Sequence, residues 1–259
     1  MFFINFWNLL DMNKKVKIIL ICVGIIIGLI AIGIGYFMFK FKSETSKMTP
    51  VETGQISEHG FAIKDEFVNM YLIKDSIGYI AIDAGKDIEV VSKELKKLNI
   101  NADEVIAIFL THSDMDHVAG IPLFKNAKLY MARNEVKMLN GEKQKMPGYN
   151  NSISKTDYSL LEENQTVDIG THKIHCILTE GHTSGSMCFQ VNEKYLFTGD
   201  ILSLHEGKLG NSVKFFDLDH DMTTKSISKI TNLPNVEYIL TSHWGISKDY
   251  KNAVKGWKE

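Results

Sequence analysis

Hydrophobic and polar positions divide the chain into two unlike parts. Residues 18–39 carry no charged side chain, and at ~1.5 Å per residue a helix of that length spans roughly 33 Å, enough for a bilayer core. Lys14, Lys15 and Lys17 precede the run, Lys40 and Lys42 follow it, and Tyr36, Phe37 and Phe39 sit at its far end, where interfacial rings are common. A buried core helix seldom runs so far without a charge. A cleaved signal peptide would have a shorter apolar stretch and small residues at its end, whereas Tyr36-Phe37-Met38-Phe39 is bulky. Cys22, preceded by Ile21 deep in the run, makes no lipoprotein cleavage site. The pattern predicts a tail over 1–17, an uncleaved transmembrane anchor over 18–39, a polar tether over 40–53 containing Pro50, and one domain over 54–259. Met12-Asn13-Lys14-Lys15 looks like a natural start, which makes Met1 to Asp11 an upstream extension. The lysines almost balance across the run, so the short basic tail decides orientation. It is expected to stay in the cytoplasm, with the domain outside.

Beyond the tether, strand and helix signals alternate. Phe67 to Ile73 and Tyr79 to Asp83 read as strands around the polar turn Lys74 to Gly78, and Ile88 to Leu98 has the apolar spacing of an amphipathic helix. Val105 to Leu110 is a strand, Val118 to Phe124 a helix, Lys128 to Met131 a strand and Arg133 to Leu139 a short helix. Gly141 to Ser159, with Pro147-Gly148, is a long loop of the kind that walls an active site. The second half repeats this grammar. Met187 to Val191 and Tyr195 to Phe197 form a hairpin, Thr223 to Leu233 a helix and Val236 to Leu240 a strand. Two such halves predict two packed sheets with helices outside.

Four of these apolar runs end in the same way. Val105–Leu110 leads into Thr111-His112-Ser113-Asp114-Met115-Asp116-His117. His175-Cys176-Ile177-Leu178 leads through Thr179-Glu180-Gly181 to His182, Tyr195-Leu196-Phe197 through Thr198-Gly199 to Asp200, and Ile239-Leu240 through Thr241-Ser242 to His243. Each is a hydrophobic strand, a small-residue turn and a ligand-type side chain. Imidazole suits zinc and carboxylates suit harder ions, so strand ends gathered at one rim read as a divalent-metal site.

Composition narrows the function further. Net charge is only −2, without a basic stripe, so nucleic acid is not an expected partner. Cys176 and Cys188 have no disulfide or zinc-knuckle spacing and read as core residues. No Ser-His-Asp or Cys-His arrangement stands out, and Thr183-Ser184-Gly185-Ser186 lacks the spacing of a nucleophile elbow. His172 and His175 lie three apart on a strand and point to opposite faces. His59, His205 and His220 read as solvated, as does the acidic stretch Asp217-Leu218-Asp219-His220-Asp221. Glu162 and Glu163 are surface charges. His205 and Lys208 follow Asp200 in a loop that could reach a substrate.

Asp83-Ala84-Gly85, His112 to His117, Gly181-His182-Thr183-Ser184-Gly185-Ser186, Thr198-Gly199-Asp200 and Ser242-His243-Trp244-Gly245 come in an order that resembles the metallo-β-lactamase superfamily, over roughly 54–259. The resemblance implies an α/β fold, a four-layer αβ/βα sandwich, and a hydrolytic centre with two divalent ions, zinc first and manganese or iron as alternatives. It implies that His112, Asp114 and His182 hold one ion, Asp116, His117 and His243 the other, and that Asp200 bridges them. Asp116 would also accept or orient the proton of the attacking water. The family usually has His where this chain has Asp114. Two dications with Asp116, Asp200 and a hydroxide leave one net positive charge, which Asp114 cancels; the cluster becomes a weaker Lewis acid that holds hard metals better. The expected enzyme is a membrane-tethered metallo-hydrolase acting on a small ester, lactone, thioester or phosphoester. The alternatives are a diiron oxidoreductase of the same superfamily, where a carboxylate also stands at the position of Asp114, and a non-catalytic metal-binding module.

Overall fold

The computed structural model describes residues 13–257; the extension over 1–11 and the start at Met12 lie outside them. The chain divides into two compact units after Lys47. In the first, α1 (Lys14–Thr45) begins at Asn13, whose side chain accepts from the Lys15 N–H. Residues 18–39 are exposed throughout. The helix runs to Thr45, into the segment predicted as tether, because Lys40 and Glu44 pair one turn apart at 2.6 Å.

The second unit is built on two sheets. β1 (Gly54–Gln55), β2 (Gly60–Asp65), β3 (Val68–Asp75), β4 (Gly78–Ile82), β5 (Val105–Phe109), β6 (Lys128–Ala132) and β7 (Tyr158–Leu161) lie in that order in the first. They pair antiparallel as far as β4 and parallel from there to β7. Helices α2 (Ile88–Lys97), α3 (Met115–Val118) and α4 (Val136–Leu139) interrupt them in sequence. The second sheet contains β8 (Thr166–Ile169), β9 (His172–Leu178), β10 (Met187–Val191), β11 (Tyr195–Phe197), β14 (Tyr238–Leu240) and β15 (Ile246–Ser247), in the order β15-β14-β11-β10-β9-β8. The hairpin β12 (Leu202–His205) and β13 (Lys208–Asn211) stands apart, and α5 (His220–Ser228) and α6 (Tyr250–Val254) complete the chain.

Strand alternation decides which side chains meet. Tyr71, Ile73, Ile80, Ile82 and Phe109 of the first sheet pack against Cys176, Met187, Phe189, Val191 and Phe197 of the second. The opposite face of the first sheet, with Met70, Leu72, Ala81 and Ile108, buries Val91 and Leu95 of α2. The outer face of the second, with Cys188, Leu196 and Ile239, buries Ile227 of α5 and Tyr250 of α6. Helix, sheet, sheet, helix is the four-layer αβ/βα sandwich.

In the second unit two helices also start elsewhere than expected. The helix expected over Val118–Phe124 starts earlier, as α3 at Met115, and breaks at Gly120-Ile121-Pro122 into a 3₁₀ turn, Ile121–Leu123. The helix expected from Thr223 starts at His220, because Asp219 caps it by accepting from the Met222 N–H, and ends at Ser228.

Candidate metal centre

Each candidate ligand sits just beyond a strand's carboxyl end or in the helix that follows it. β5 delivers His112, α3 carries Asp116 and His117, and β9, β11 and β14 lead to His182, Asp200 and His243. Two of these turns need glycine. Gly181 has φ +135° and Gly199 φ +55°, and a Cβ at Gly181 would lie 2.2 Å from the Thr223 backbone nitrogen. Asp114 stands at the N-cap of α3 but makes no capping bond. Its carboxylate faces the cluster instead.

Seven side chains converge. His112 Nε2 lies 3.5 Å from Asp114 Oδ2, and His182 Nε2 lies 3.2 Å from the same oxygen. Asp116 Oδ2 is 3.7 Å from His117 Nε2 and 3.5 Å from His243 Nε2. Asp200 stands between the groups: Oδ2 is 3.8, 3.5 and 2.9 Å from His112, His182 and His243, and Oδ1 is 3.5 Å from His117. Ligand atoms about 2.0–2.1 Å from a tetrahedral ion stand ~3.3 Å from one another, so these separations suit a divalent metal. In three groups, His112/Asp114/His182, His112/His117/Asp200 and Asp116/His117/His243, the potential ligand atoms all lie within 4.8 Å of one another. Buried polar atoms ordinarily find hydrogen-bond partners, yet His112 Nε2, His117 Nε2 and Asp200 Oδ1 are buried with none. A cation at the centre would satisfy all three.

The other face of every ring is fixed. His117 Nδ1 faces Asp83 Oδ2 at 2.9 Å, His182 Nδ1 faces Asp217 Oδ1 at 2.9 Å, His243 Nδ1 faces the Phe67 carbonyl at 2.8 Å, and His112 Nδ1 faces Thr111 Oγ1 at 3.0 Å. Acceptors there hold the Nδ1–H tautomer and turn Nε2 lone pairs inward, as metal-binding histidines require. Asp83 also accepts from the Thr111 N–H at 2.8 Å, and it does so from a left-handed backbone, φ +62°. That strain sits where the geometry is over-determined.

The charges are arranged to hold cations. Burial pushes the His117 imidazole down, but the Asp200, Asp116 and Asp83 carboxylates outweigh it and hold the group well above its ordinary value. Burial lowers His182 too, as does Lys145, yet Asp114, Asp217 and Asp200 bring it up to about 9. Burial, joined by the charge on His117, takes His112 downward. Burial opposes ionisation of Asp114 and Asp200, but Lys145 and His112 beside the one, and His243 and His117 beside the other, keep both well below the carboxylate range.

Some sequence expectations fail here. Asp217 and His220 do not form a solvated turn: Asp217 is turned in to His182, and its second oxygen contacts His220 Nδ1 at 2.6 Å and Ser212 Oγ at 2.5 Å. His205 is exposed beside the Trp244 ring, as its polar segment predicts, and Lys208 donates to Asn252, so neither reaches the cluster. His172, not expected to be a ligand, instead contacts the Lys74 carbonyl and Asn192. Three supporting residues carry no local sequence signal. Glu135, fully buried, accepts from the Ser113 N–H at 2.7 Å, Thr183 Oγ1 at 2.7 Å and the Gly185 N–H at 2.9 Å, tying the motif to the His182 turn. Asn151 donates to Asp114 Oδ1 at 2.9 Å, and Lys145 donates to Asp114 Oδ2.

A sandwich with histidines and aspartates gathered beyond the strand ends defines a metal-binding α/β class, and comparison with known proteins identifies the family. The chain belongs to the metallo-β-lactamase superfamily, whose model matches residues 63–243. It is 34% identical to the "Probable polyketide biosynthesis zinc-dependent hydrolase PksB" of Bacillus subtilis, over 50% of this chain and 53% of that protein. It is 30% identical to the hydroxyacylglutathione hydrolase of Buchnera aphidicola subsp. Schizaphis graminum, over 70% of this chain and 63% of the relative. The matches thus span about half to two thirds of these relatives' length. The fold is shared with MEM-A1, a subclass B3 metallo-β-lactamase from a soil metagenome library, at TM-score 0.59 and 16% identity over 75% of this chain and 80% of that one.

Proposed function

We propose that the protein is a membrane-tethered metallo-hydrolase that cleaves a small acyl or phosphoryl substrate with a metal-activated water. The observation that carries this reading is the convergence of inward-facing Nε2 atoms, each with its Nδ1 fixed, on a shared Asp200 carboxylate. His112, Asp114 and His182 would hold one divalent ion, and Asp116, His117 and His243 another, with Asp200 shared. Bound metal supplies an acidified water and an electrophile for the scissile carbonyl or phosphoryl oxygen. Asp116, partly exposed at the rim, takes the proton at its carboxylate and orients the nucleophile. Asp83 and Asp217 are positioning residues that keep His117 and His182 in the acceptor tautomer.

Zinc is the first choice of metal, since a relative is named as zinc-dependent. Among substrates an acyl thioester comes first, because relatives are named hydroxyacylglutathione hydrolases; lactones, simple esters and phosphoesters follow. α1 serves as a single-pass anchor, supported by a helix long and apolar enough to cross a membrane, with the catalytic unit on the extracytoplasmic side. The test is a hydrolase panel on the detergent-solubilised full chain, loaded in parallel with zinc, manganese and iron. Metal-dependent turnover of a thioester or ester supports the proposal. Failure to turn over any of these with any metal defeats it, and oxygen consumption by the iron form would point to the oxidoreductase instead.

A further inference from the structure

The candidate clusters differ in one respect that their residue types do not reveal. Lys145, on the loop after α4, reaches into the first cluster, where it donates to Asp114 Oδ2 and its Nζ lies 2.9 Å from His182 Nε2. The ammonium is no surface charge passing by: its side chain is only 17% exposed. The loop that carries it is pinned. Lys143 N–H donates to the Lys137 carbonyl at 2.9 Å, Asn151 N–H donates to the Met138 carbonyl at 3.2 Å, and the Asn151 side chain donates to Ser113 Oγ and to Asp114 Oδ1. Both carboxylate oxygens of Asp114 are therefore engaged by this loop. His112 Nε2 of the first cluster and His117 Nε2 of the second are both buried without a hydrogen-bond partner, so the lysine contact is what distinguishes the two clusters.

We propose that Lys145 is a resident cation of the first cluster, so that the two clusters take up divalent metal unequally. The Asp116/His117/His243 group, with Asp200, fills first. The His112/Asp114/His182 group fills only when the ammonium withdraws. The reason lies in Asp114. An imidazole at that position would be neutral and would offer an ammonium no countercharge, whereas a carboxylate forms a charge-assisted bond with it. A dication and an ammonium cannot share Asp114 Oδ2 and the His182 lone pair, because like charges at contact distance in a buried site repel strongly. Metal binding there must therefore displace the lysine. This inference rests on the metallo-hydrolase reading and adds an order of filling to it.

The experiment is zinc uptake by the detergent-solubilised full chain, stripped with a chelator and titrated against a chromophoric competitor, alongside Lys145→Met, Lys145→Gln and Lys145→Arg. The wild type should bind in two steps at least ~10-fold apart. In the Met and Gln variants the weaker step should tighten by about tenfold or more while the tighter step stays put, and Arg should preserve the gap. Cobalt absorption, read along the same titration, should develop in two stages in the wild type and merge in Lys145→Met. Equal steps in the wild type, or a gap unchanged in both the Met and Gln variants, would overturn the lysine's role while leaving the metal centre intact. No stoichiometric uptake by any form would overturn the metallo-hydrolase reading together with this inference.

Discussion

In the second candidate cluster His117 and His243 are braced beside strands of the first sheet. In the first cluster only His112 is held that way, by Thr111 after β5, and Asp114 and His182 are braced by loops. His117 is held by Asp83, directly after β4, and His243 by the Phe67 carbonyl, directly before β3. These supports directly adjoin strands packed in the central core, which limits how far the second cluster can shift. In the first, His182 is oriented by Asp217, on the segment leading to α5, and Asp114 by Asn151 and Lys145, on a long loop. Loops can move with less repacking than strands. A shared fold can thus brace one candidate cluster rigidly and leave its neighbour adjustable.

The largest expected effect tests whether the second cluster is where chemistry happens. Asp116→Ala should lower kcat about a thousandfold or more while leaving the melting transition near that of the wild type. Asp116 is partly exposed at the rim of the cluster. Turnover within tenfold of the wild type, at equal metal loading, would remove the second cluster from the mechanism.

A paired substitution addresses the supports. Asp83→Asn should weaken metal at the second cluster by about 10–100-fold, since an amide can present its N–H to His117 Nδ1 and spoil the tautomer. Asp217→Asn should act in the same way on the first cluster, by about tenfold, and leave the tight step alone. Metal titrations monitored by competition would read both. If Asp217→Asn weakened the tight step instead, the assignment of rigid and adjustable sites would be reversed.

Glu135 joins the motif loop to the His182 turn and should matter to folding more than to either affinity. Glu135→Gln keeps the shape but replaces carboxylate bonds to Ser113, Thr183 and Gly185 with weaker or mismatched ones. A loss of about 2–3 kcal/mol is expected, seen as a melting temperature lower by roughly 5–10 °C. A melting temperature unchanged from the wild type would show that the clamp adds nothing.

Why some of this architecture could be read from residues, and some not, follows from the range of the interactions. β5, the β3–β4 and β10–β11 hairpins and α2 announce themselves because alternation and helical spacing are local. The strand ends carry His112, His182, Asp200 and His243 for the same reason, each a few residues beyond its apolar run. Glu135 and Lys145 act on partners 22 and 31 residues away, and no local pattern distinguishes them from surface charges. Asp217 looks solvated within Asp217-Leu218-Asp219-His220-Asp221 because charges cluster there; only the approach of His182, 35 residues earlier, gives it a buried partner. β12 and β13 escape notice because they are short and pair only with each other.

The smallest effect comes from a residue that should leave both clusters untouched. Asp75, at the end of β3, accepts from Thr171 Oγ1 at 2.5 Å, the Thr171 N–H at 2.8 Å, and the Ile77 N–H and Ser76 Oγ at 3.1 Å, linking the β3–β4 turn to the β8–β9 turn. The Thr171 hydroxyl, helped by these amides and opposed by burial, holds its carboxyl below the usual carboxylate range. A folded-state value below the unfolded one means that the fold favours the ionised form. The stabilisation is therefore complete above the unfolded value, about 3.9, and drains away as pH falls through the lower folded value. Asp75→Asn should melt about 2–5 °C below the wild type at neutral pH, with the difference narrowing in acid. A difference constant across that acid range would show that the ionised carboxylate is not its source. Zinc uptake by Asp75→Asn should retain both steps unchanged, because Asp75 belongs to the far turns of the sandwich; a shift in only the weaker step would mean that the first cluster's adjustability reaches through the whole second sheet rather than ending at the loops that brace it.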